Sequence, residues 1–336
     1  MSAEVAVVGA GIMGAATARA LAREGVDVVV YEQFRPGHDR GSSHGRSRIF
    51  RLAYPSAEWV RLGQEALAGW RALEADSGQR LLDLPGLVEI VDDVADSSAA
   101  VLDECGVAWQ LLSPDESERR FPLRLEPGTV AVLQPEAGIV YADRALAAFL
   151  RGLRVEAETR VRSLEDLAEE VVVVTAGSWA RGLLAELGIE LDVRVTRETV
   201  CYFRLDDPRP VPSIAKLRPG THQHAVYALA DPMYGLKLGC HHCGPEVDPD
   251  ATGGPEPRLV AELSEWAAKV FQGVRSEPAA AESCLYTSTA DETFVLERHG
   301  RVVVGSACSG HGFKFAPAVG ERLAGLALEG LGRGSR

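Results

Sequence analysis

No run of about 18 apolar residues occurs in the chain, the length a bilayer-spanning helix needs, so no such span is expected. Nor is there an excess of positive charge. Against 48 Asp and Glu stand 35 Lys and Arg, a net charge of −13, which argues against nucleic acid or an anionic membrane as partner. A local cluster of cations could still receive a small anion. The 6 cysteines, Cys105, Cys201, Cys240, Cys243, Cys284 and Cys308, are too few in 336 residues for a disulfide scaffold. Cys240-His241-His242-Cys243 has no second ligand pair at zinc spacing, so it is read as two strand thiols and no metal is expected. Internal repeats are absent, and low complexity is confined to the Gly332–Arg336 tail. Glu4 stands where a secretory leader would be basic, and a glycine turn interrupts the apolar stretch 5–22; a cytoplasmic location is expected.

What remains is an ordinary globular composition, 46% hydrophobic and 25% charged, long enough for one large or two intimate domains. Two glycine motifs carry most of the information. Val5–Val8 reads as a buried parallel strand entering Gly9-Ala10-Gly11-Ile12-Met13-Gly14, with a helix over Ile12–Arg23 and a second strand Val28–Tyr31 ending at Glu32. Gly9 permits the tight turn, Gly11 lets the backbone approach a pyrophosphate, and Gly14 allows close packing of helix on strand. Glu32 lies at about the 20-residue spacing of an acid that grips a ribose hydroxyl. Near the other end, Val302–Val304 runs into Ser309-Gly310-His311-Gly312-Phe313-Lys314 and another alanine-rich helical pattern. A nicotinamide enzyme needs only the first motif. A long dinucleotide whose reactive ring lies near the C-terminal segment uses both, which points to a flavin.

Between the motifs, 35–48 is a polar loop. Residues 57–76 form an amphipathic helix whose Trp59 and Trp70 are read as core, Leu87–Val91 is a strand, and Ser113 caps a helix with Pro114 in its first position. Helices are expected over Asp143–Leu153, Ser178–Leu187 and 256–272. Val171–Val174 is a third buried strand, entering a small-residue turn at Gly177, and 193–243 is β-rich. The fold class is therefore α/β: a Rossmann-like FAD-binding domain (1–78, 135–190 and 284–336) with a β-rich substrate domain formed from insertions (79–134 and 191–283).

Five stretches carry a resemblance: the N-terminal fingerprint, Gly41 to Arg51 (GSSHGRSRIFR), Gly235 to His241 (GLKLGCH), Cys284-Leu285-Tyr286-Thr287, and Ser309 to Phe315. The chain resembles the D-amino-acid-oxidase-type flavoproteins, within them the monomeric sarcosine oxidase and N-methyltryptophan oxidase family. The resemblance implies FAD and an oxidase, a monomer, that acts on a secondary or N-methyl amine beside a carboxylate and passes electrons to O2. It implies a covalent bond from Cys284 to the flavin, oxygen activation by Lys237, and a carboxylate clamp of Arg51 and Lys314. Arg48 would lie against the flavin, with His241, Tyr227 and Tyr286 lining the substrate pocket. The cofactor-facing set is Gly9, Gly11, Ile12, Met13, Gly14, Glu32, Ser42, His44, Ser47, Arg48, Gly177, Cys284, Ser309, Gly310, His311, Gly312 and Lys314. The chain departs from the family in being shorter, mainly in the substrate half, in having Cys308 where an aromatic is usual, and in carrying Arg46 and Ser47 for an acid and a threonine.

These residue types suit the chemistry. A guanidinium and an ammonium can fix a carboxylate from two sides, and a cation within the apolar Gly-Leu-Lys-Leu-Gly strand is costly unless it is useful or reaches water. A flavin dehydrogenase with another acceptor and a biosynthetic tailoring oxidase would use the same residues. A flavin-binding protein without turnover has no need of the three cations.

Overall fold

A computed structural model describes residues 3–216 and 225–334. The β-rich stretch read over 193–243 includes 217–224, and the tail includes 335 and 336; these lie outside the described residues. Three sheets organise the chain. In the first, six strands lie side by side in the order Val295–His299, Val302–Ser306, Val171–Val174, Val5–Val8, Val28–Tyr31 and Arg154–Glu156. All its pairings are parallel except the edge pair Val295–His299 with Val302–Ser306. Its central strands are valine runs because both faces are covered. Val5, Val7, Val30 and Val173 pack under the helices Ile12–Arg23 and Ala316–Gly330, which lie against each other. Ala6, Val8, Val29, Val172 and Val174 pack on the opposite side with Leu184, Leu191 and Val193.

The glycine fingerprint folds as its spacing requires. Gly9 adopts φ +104°, closed to most side chains, and a Cβ on Gly14 would overlap the Gly9 carbonyl. The second sheet has eight strands, in the order Ala280–Ser288, Arg194–Arg204, Gly235–His241, Ala225–Asp231, Ser213–Lys216, Leu87–Val91, Val130–Gln134 and Gln110–Leu112. One face packs on the helix Pro257–Val270 through Leu236, Leu238, Cys201, Phe203, Trp266 and Phe271; the other is turned to the cavity described below. A small third sheet joins Ser47–Phe50, Gly138–Tyr141 and Leu82–Asp83. It carries the polar loop's end between the two larger sheets.

Ser113 forms the full capping box with Glu116 and has Pro114 in the first turn, as read from the sequence. Three expectations need correction. The helix read as Asp143–Leu153 runs Ala142–Leu150, ending in a turn at Arg151 and Gly152. The one read as Ser178–Leu187 is a 3-10 turn, Gly177–Trp179, followed by the short helix Ala180–Ala185. Cys240 and Cys243 are not two independent strand thiols: the strand ends at His241, His242 turns at φ +57°, and the two cysteines close a disulfide with their Cα atoms 5.6 Å apart. Glu198, fully buried, accepts hydrogen bonds from the N–H groups of Cys243 (3.0 Å) and Gly244 (2.9 Å) and holds that turn from below.

Candidate active site

A cavity of about 1140 Å³ extends from the C-terminal ends of the parallel strands to the inner face of the eight-stranded sheet. One end is built mainly from backbone. Gly9, Gly11, Ile12, Met13 and Gly177 line it, and the helix Ile12–Arg23 begins there with no side-chain cap from Gly11. Instead Ser43 Oγ accepts the Ile12 N–H at 3.0 Å. The buried Glu32 carboxylate accepts from the N–H groups of Ala10 and Phe34, both at 2.9 Å, and lines the same end. A helix N-terminus with free N–H groups beside a glycine turn is an anion site.

Side chains make the other end, and strand alternation explains which ones. In Gly235–His241 the residues Leu236, Leu238 and Cys240 enter the apolar core, while Lys237 and His241 face the cavity. Antiparallel partners bring Tyr227 opposite Gly239 and Leu229 opposite Lys237. The Ala280–Ser288 strand contributes Cys284 and Tyr286 to the wall.

Three cations line the cavity. Lys237, 5% exposed, donates to the Ser47 carbonyl at 3.4 Å; burial and the nearby Arg48 lower its pKa to about 7. Lys314, equally buried, donates to the His311 carbonyl (2.6 Å) and the Tyr54 hydroxyl (3.0 Å); burial and then Arg51 hold it well below the usual lysine range. Arg51 donates to the Ala53 carbonyl at 2.9 Å, with its guanidinium 4.1 Å from the Tyr54 ring centre. Among the described residues, no carboxylate lies within ion-pair distance of any of the three. Arg48 spends its donors on the carbonyls of Ser47, Ser42 and His44, and its guanidinium sits 5.6 Å from the Phe313 ring centre.

Other groups are kept neutral by burial. Burial pushes the Cys284 thiol up, opposed by Arg48 and Lys237. It also pushes Tyr227 and Tyr286 up, which keeps both as phenols. His241 is lowered to about 4 by burial and His242, and His311 to about 3 by burial and Lys314. His311 Nε2 donates to the Glu292 carbonyl (3.0 Å), which leaves Nδ1 to accept from the Tyr54 hydroxyl at 3.1 Å. The run Lys314–Tyr54–His311–Glu292 thus orients the ammonium. Gly310, at φ +70°, presses its backbone against Tyr286 and His241, where any Cβ would overlap both rings.

Most residues singled out in the sequence therefore line this one cavity, divided between its two ends. Gly14, His44 and Ser309 lie off it. Gly14 packs helix on strand; Ser309 turns at φ +37° and donates to the Thr293 carbonyl at 3.5 Å. The buried His44 ring is lowered to about 4 by burial and Arg48, and its Nε2 has no partner. Trp70 is core, fully buried; Trp59 packs against the same core and also lines the cavity, 4.9 Å from the His311 ring. Tyr54, Ser43 and Glu292 were missed. Ser43 is the neighbour of a chosen serine and Tyr54 stands three residues beyond Arg51, but the spacing alone gives neither a partner.

Comparison with known proteins shows the family and the fold. Residues 4–326 match the family described as FAD dependent oxidoreductase, DAO. The peroxisomal sarcosine oxidase of Homo sapiens is 35% identical over 96% of this chain and 91% of its own length. The monomeric sarcosine oxidase of Bacillus sp. (strain B-0618) is 29% identical over 97% and 92%. Among solved structures NikD, described as an unusual amino acid oxidase essential for nikkomycin biosynthesis, superposes with a TM-score of 0.88 at 27% identity, covering 98% of this chain and 94% of NikD. The chain belongs to the FAD-dependent oxidoreductase family, in the company of the sarcosine oxidases.

Proposed function

We propose that this protein oxidises a small secondary amino acid, N-methylated or cyclic, to its imine, with O2 reduced to H2O2. The observation that carries the reading is that Arg51, Lys314 and Lys237 all line one cavity, with no carboxylate within ion-pair distance among the described residues. Buried cations without counter-charge are costly, and an anionic ligand offsets that cost. A carboxylate between Arg51 and Lys314 receives charge-assisted hydrogen bonds from both, and Tyr54 with His311 keeps the ammonium aimed. The same positive surroundings favour the neutral form of the substrate amine, which is the reactive one. Lys237 remains to stabilise charge that develops on oxygen.

The residues fit FAD. The glycine turn has no room for side chains at Gly14, the adjacent helix presents free N–H groups, and Ser47 Oγ is a buried wall atom without a partner. Gly9, Gly11 and Glu32 would hold the adenosine diphosphate half; Arg48, Cys284, Gly310 and Gly312 would hold the ring half, with Cys284 as the proposed covalent tether. When bound, FAD supplies a two-electron acceptor for the C–H next to nitrogen and a donor to oxygen. The relatives named as sarcosine oxidases support the substrate class.

The proposed FAD-binding unit is 1–78, 135–190 and 284–336, and the substrate unit 79–134 and 191–283. Every strand of the six-stranded sheet falls in the first unit, while Ala280–Ser288 straddles the boundary at 284. The proposed state is a cytoplasmic monomer, the oligomeric form carried in the Bacillus relative's name.

A peroxide-coupled screen over N-methyl, cyclic and D-amino acids tests the reading, together with the visible spectrum before and after acid precipitation. Turnover of a carboxylate-bearing secondary amine with yellow precipitate is the expected result. Colourless protein overturns the whole reading; flavin left in the supernatant overturns the tether alone; anaerobic bleaching without peroxide in air overturns oxygen as acceptor.

A further inference from the structure

We propose that His241, His242 and Glu292 form a binding site for a divalent transition-metal ion, zinc foremost, that closes the mouth of the amine pocket. The Nε2 atom of His241 lies 3.4 Å from one Glu292 carboxylate oxygen, and Nε2 of His242 lies 3.2 Å from the other. One donor atom from each of the three residues falls within 4.8 Å of the other two. Two imidazoles and a carboxylate are a donor set that zinc and its neighbours favour over calcium or magnesium. A pair of simple ion pairs does not account for His242: neither of its ring nitrogens makes a hydrogen bond, although both are shielded from solvent. Nitrogens that make no hydrogen bond are open to a metal.

The backbone sets up the cluster. His241 closes a strand and His242 follows at φ +57°, which throws two consecutive side chains to one side with ring centres 4.1 Å apart. The Cys240–Cys243 disulfide and the buried Glu198 clamp that turn at both ends. Glu292 comes from a separate loop, and its side chain is 47% exposed, which provides an entry path for the ion. His241 and Glu292 line the cavity, whereas His242 does not. An ion held at about 2.0–2.1 Å from each donor would tie the Glu292 loop to the large sheet across the pocket's opening.

The closure half of the proposal rests on the amine-oxidase reading; the metal site itself does not. FAD-loaded protein in non-reducing buffer is titrated calorimetrically with zinc chloride, and bound zinc is counted by elemental analysis after gel filtration. One zinc per chain is expected, with affinity reduced at least about tenfold in His242→Ala and in Glu292→Gln. Zinc should also slow amine turnover about tenfold in the unaltered protein, EDTA should restore it, and His242→Ala should need about tenfold more zinc for the same inhibition. Substoichiometric zinc, or affinity unchanged in both variants, overturns the site. Stoichiometric zinc without inhibition overturns the closure. Stoichiometric zinc on a protein that turns over no amine sustains the site and overturns the amine-oxidase reading instead.

Discussion

The two ends of the cavity are made by different means. At the Gly9–Gly14 end the working groups are peptide N–H groups and a single acid, all from one strand–turn–helix–strand unit of 28 consecutive residues, Val5 to Glu32. At the Lys237 end they are side chains from six separated segments, brought together by antiparallel register: Tyr227 against Gly239, and Cys284 against Glu198 across the Arg194–Arg204 strand. The first end has no room for a side chain at Gly9 or Gly14, and its side-chain contributions are few, chiefly Glu32 and Ser43. The second depends on charge and on which way each strand residue points.

The contrast can be pressed experimentally. Gly14→Val should have the largest effect, since its side chain has no space beside the Gly9 carbonyl and Thr175. Flavin retention should be lost, read as the ratio of visible to ultraviolet absorbance; a yellow variant would show that the backbone end is more pliant than its packing implies. On the role proposed for it, Lys237→Met should slow oxygen reduction by about 100-fold or more while anaerobic flavin reduction changes little. Stopped-flow traces in which both half-reactions slow equally would place Lys237 in amine binding instead. Tyr54→Phe removes one of the two acceptors of the Lys314 ammonium and the donor to His311. At about 1 kcal/mol for such a hydrogen bond, KM should rise about fivefold with kcat nearly constant, in steady-state kinetics on the best amine from the screen.

Acid sensitivity is a separate effect, read in stability and not in turnover. His44 and His241 are lowered to about 4 and His311 to about 3, whereas the unfolded chain titrates its histidines near 6.5. Between those values the unfolded state binds more protons, so stability declines as pH falls below about 6.5, by up to about 1.4 kcal/mol per pH unit for each histidine. Thermal unfolding from pH 7 to 4.5 should show this slope, and His44→Gln should flatten it.

The backbone end was almost wholly legible in the sequence. Valine runs covered on both faces, a glycine turn and an acid at the right spacing leave few alternatives, and the strand limits Val5–Val8, Val28–Tyr31 and Val171–Val174 agree to the residue. At the reactive end the cations stood out, because Lys237 interrupts an apolar strand and Arg51 and Lys314 sit in recognisable motifs. Tyr54, Ser43 and Glu292 escaped because their importance comes from partners 19 to 260 residues away, which no local pattern encodes. Trp59 packs on the core as read, and its place on the cavity escaped for a related reason. Helical periodicity shows that a residue faces inward, not whether core or cavity awaits it there. The Cys240–Cys243 pairing depended on His242 breaking the strand with a left-handed turn, an uncommon conformation for a histidine.

The alternation of Gly235–His241 also limits how this chain can change its length. Deleting or inserting one residue inside that strand would rotate Leu236 and Leu238 into the cavity and drive Lys237 into hydrocarbon, inverting both faces at once. Gains and losses of residues are therefore confined to the turns that flank it, so relatives of different size can differ in the rim around the substrate while the cation keeps its post.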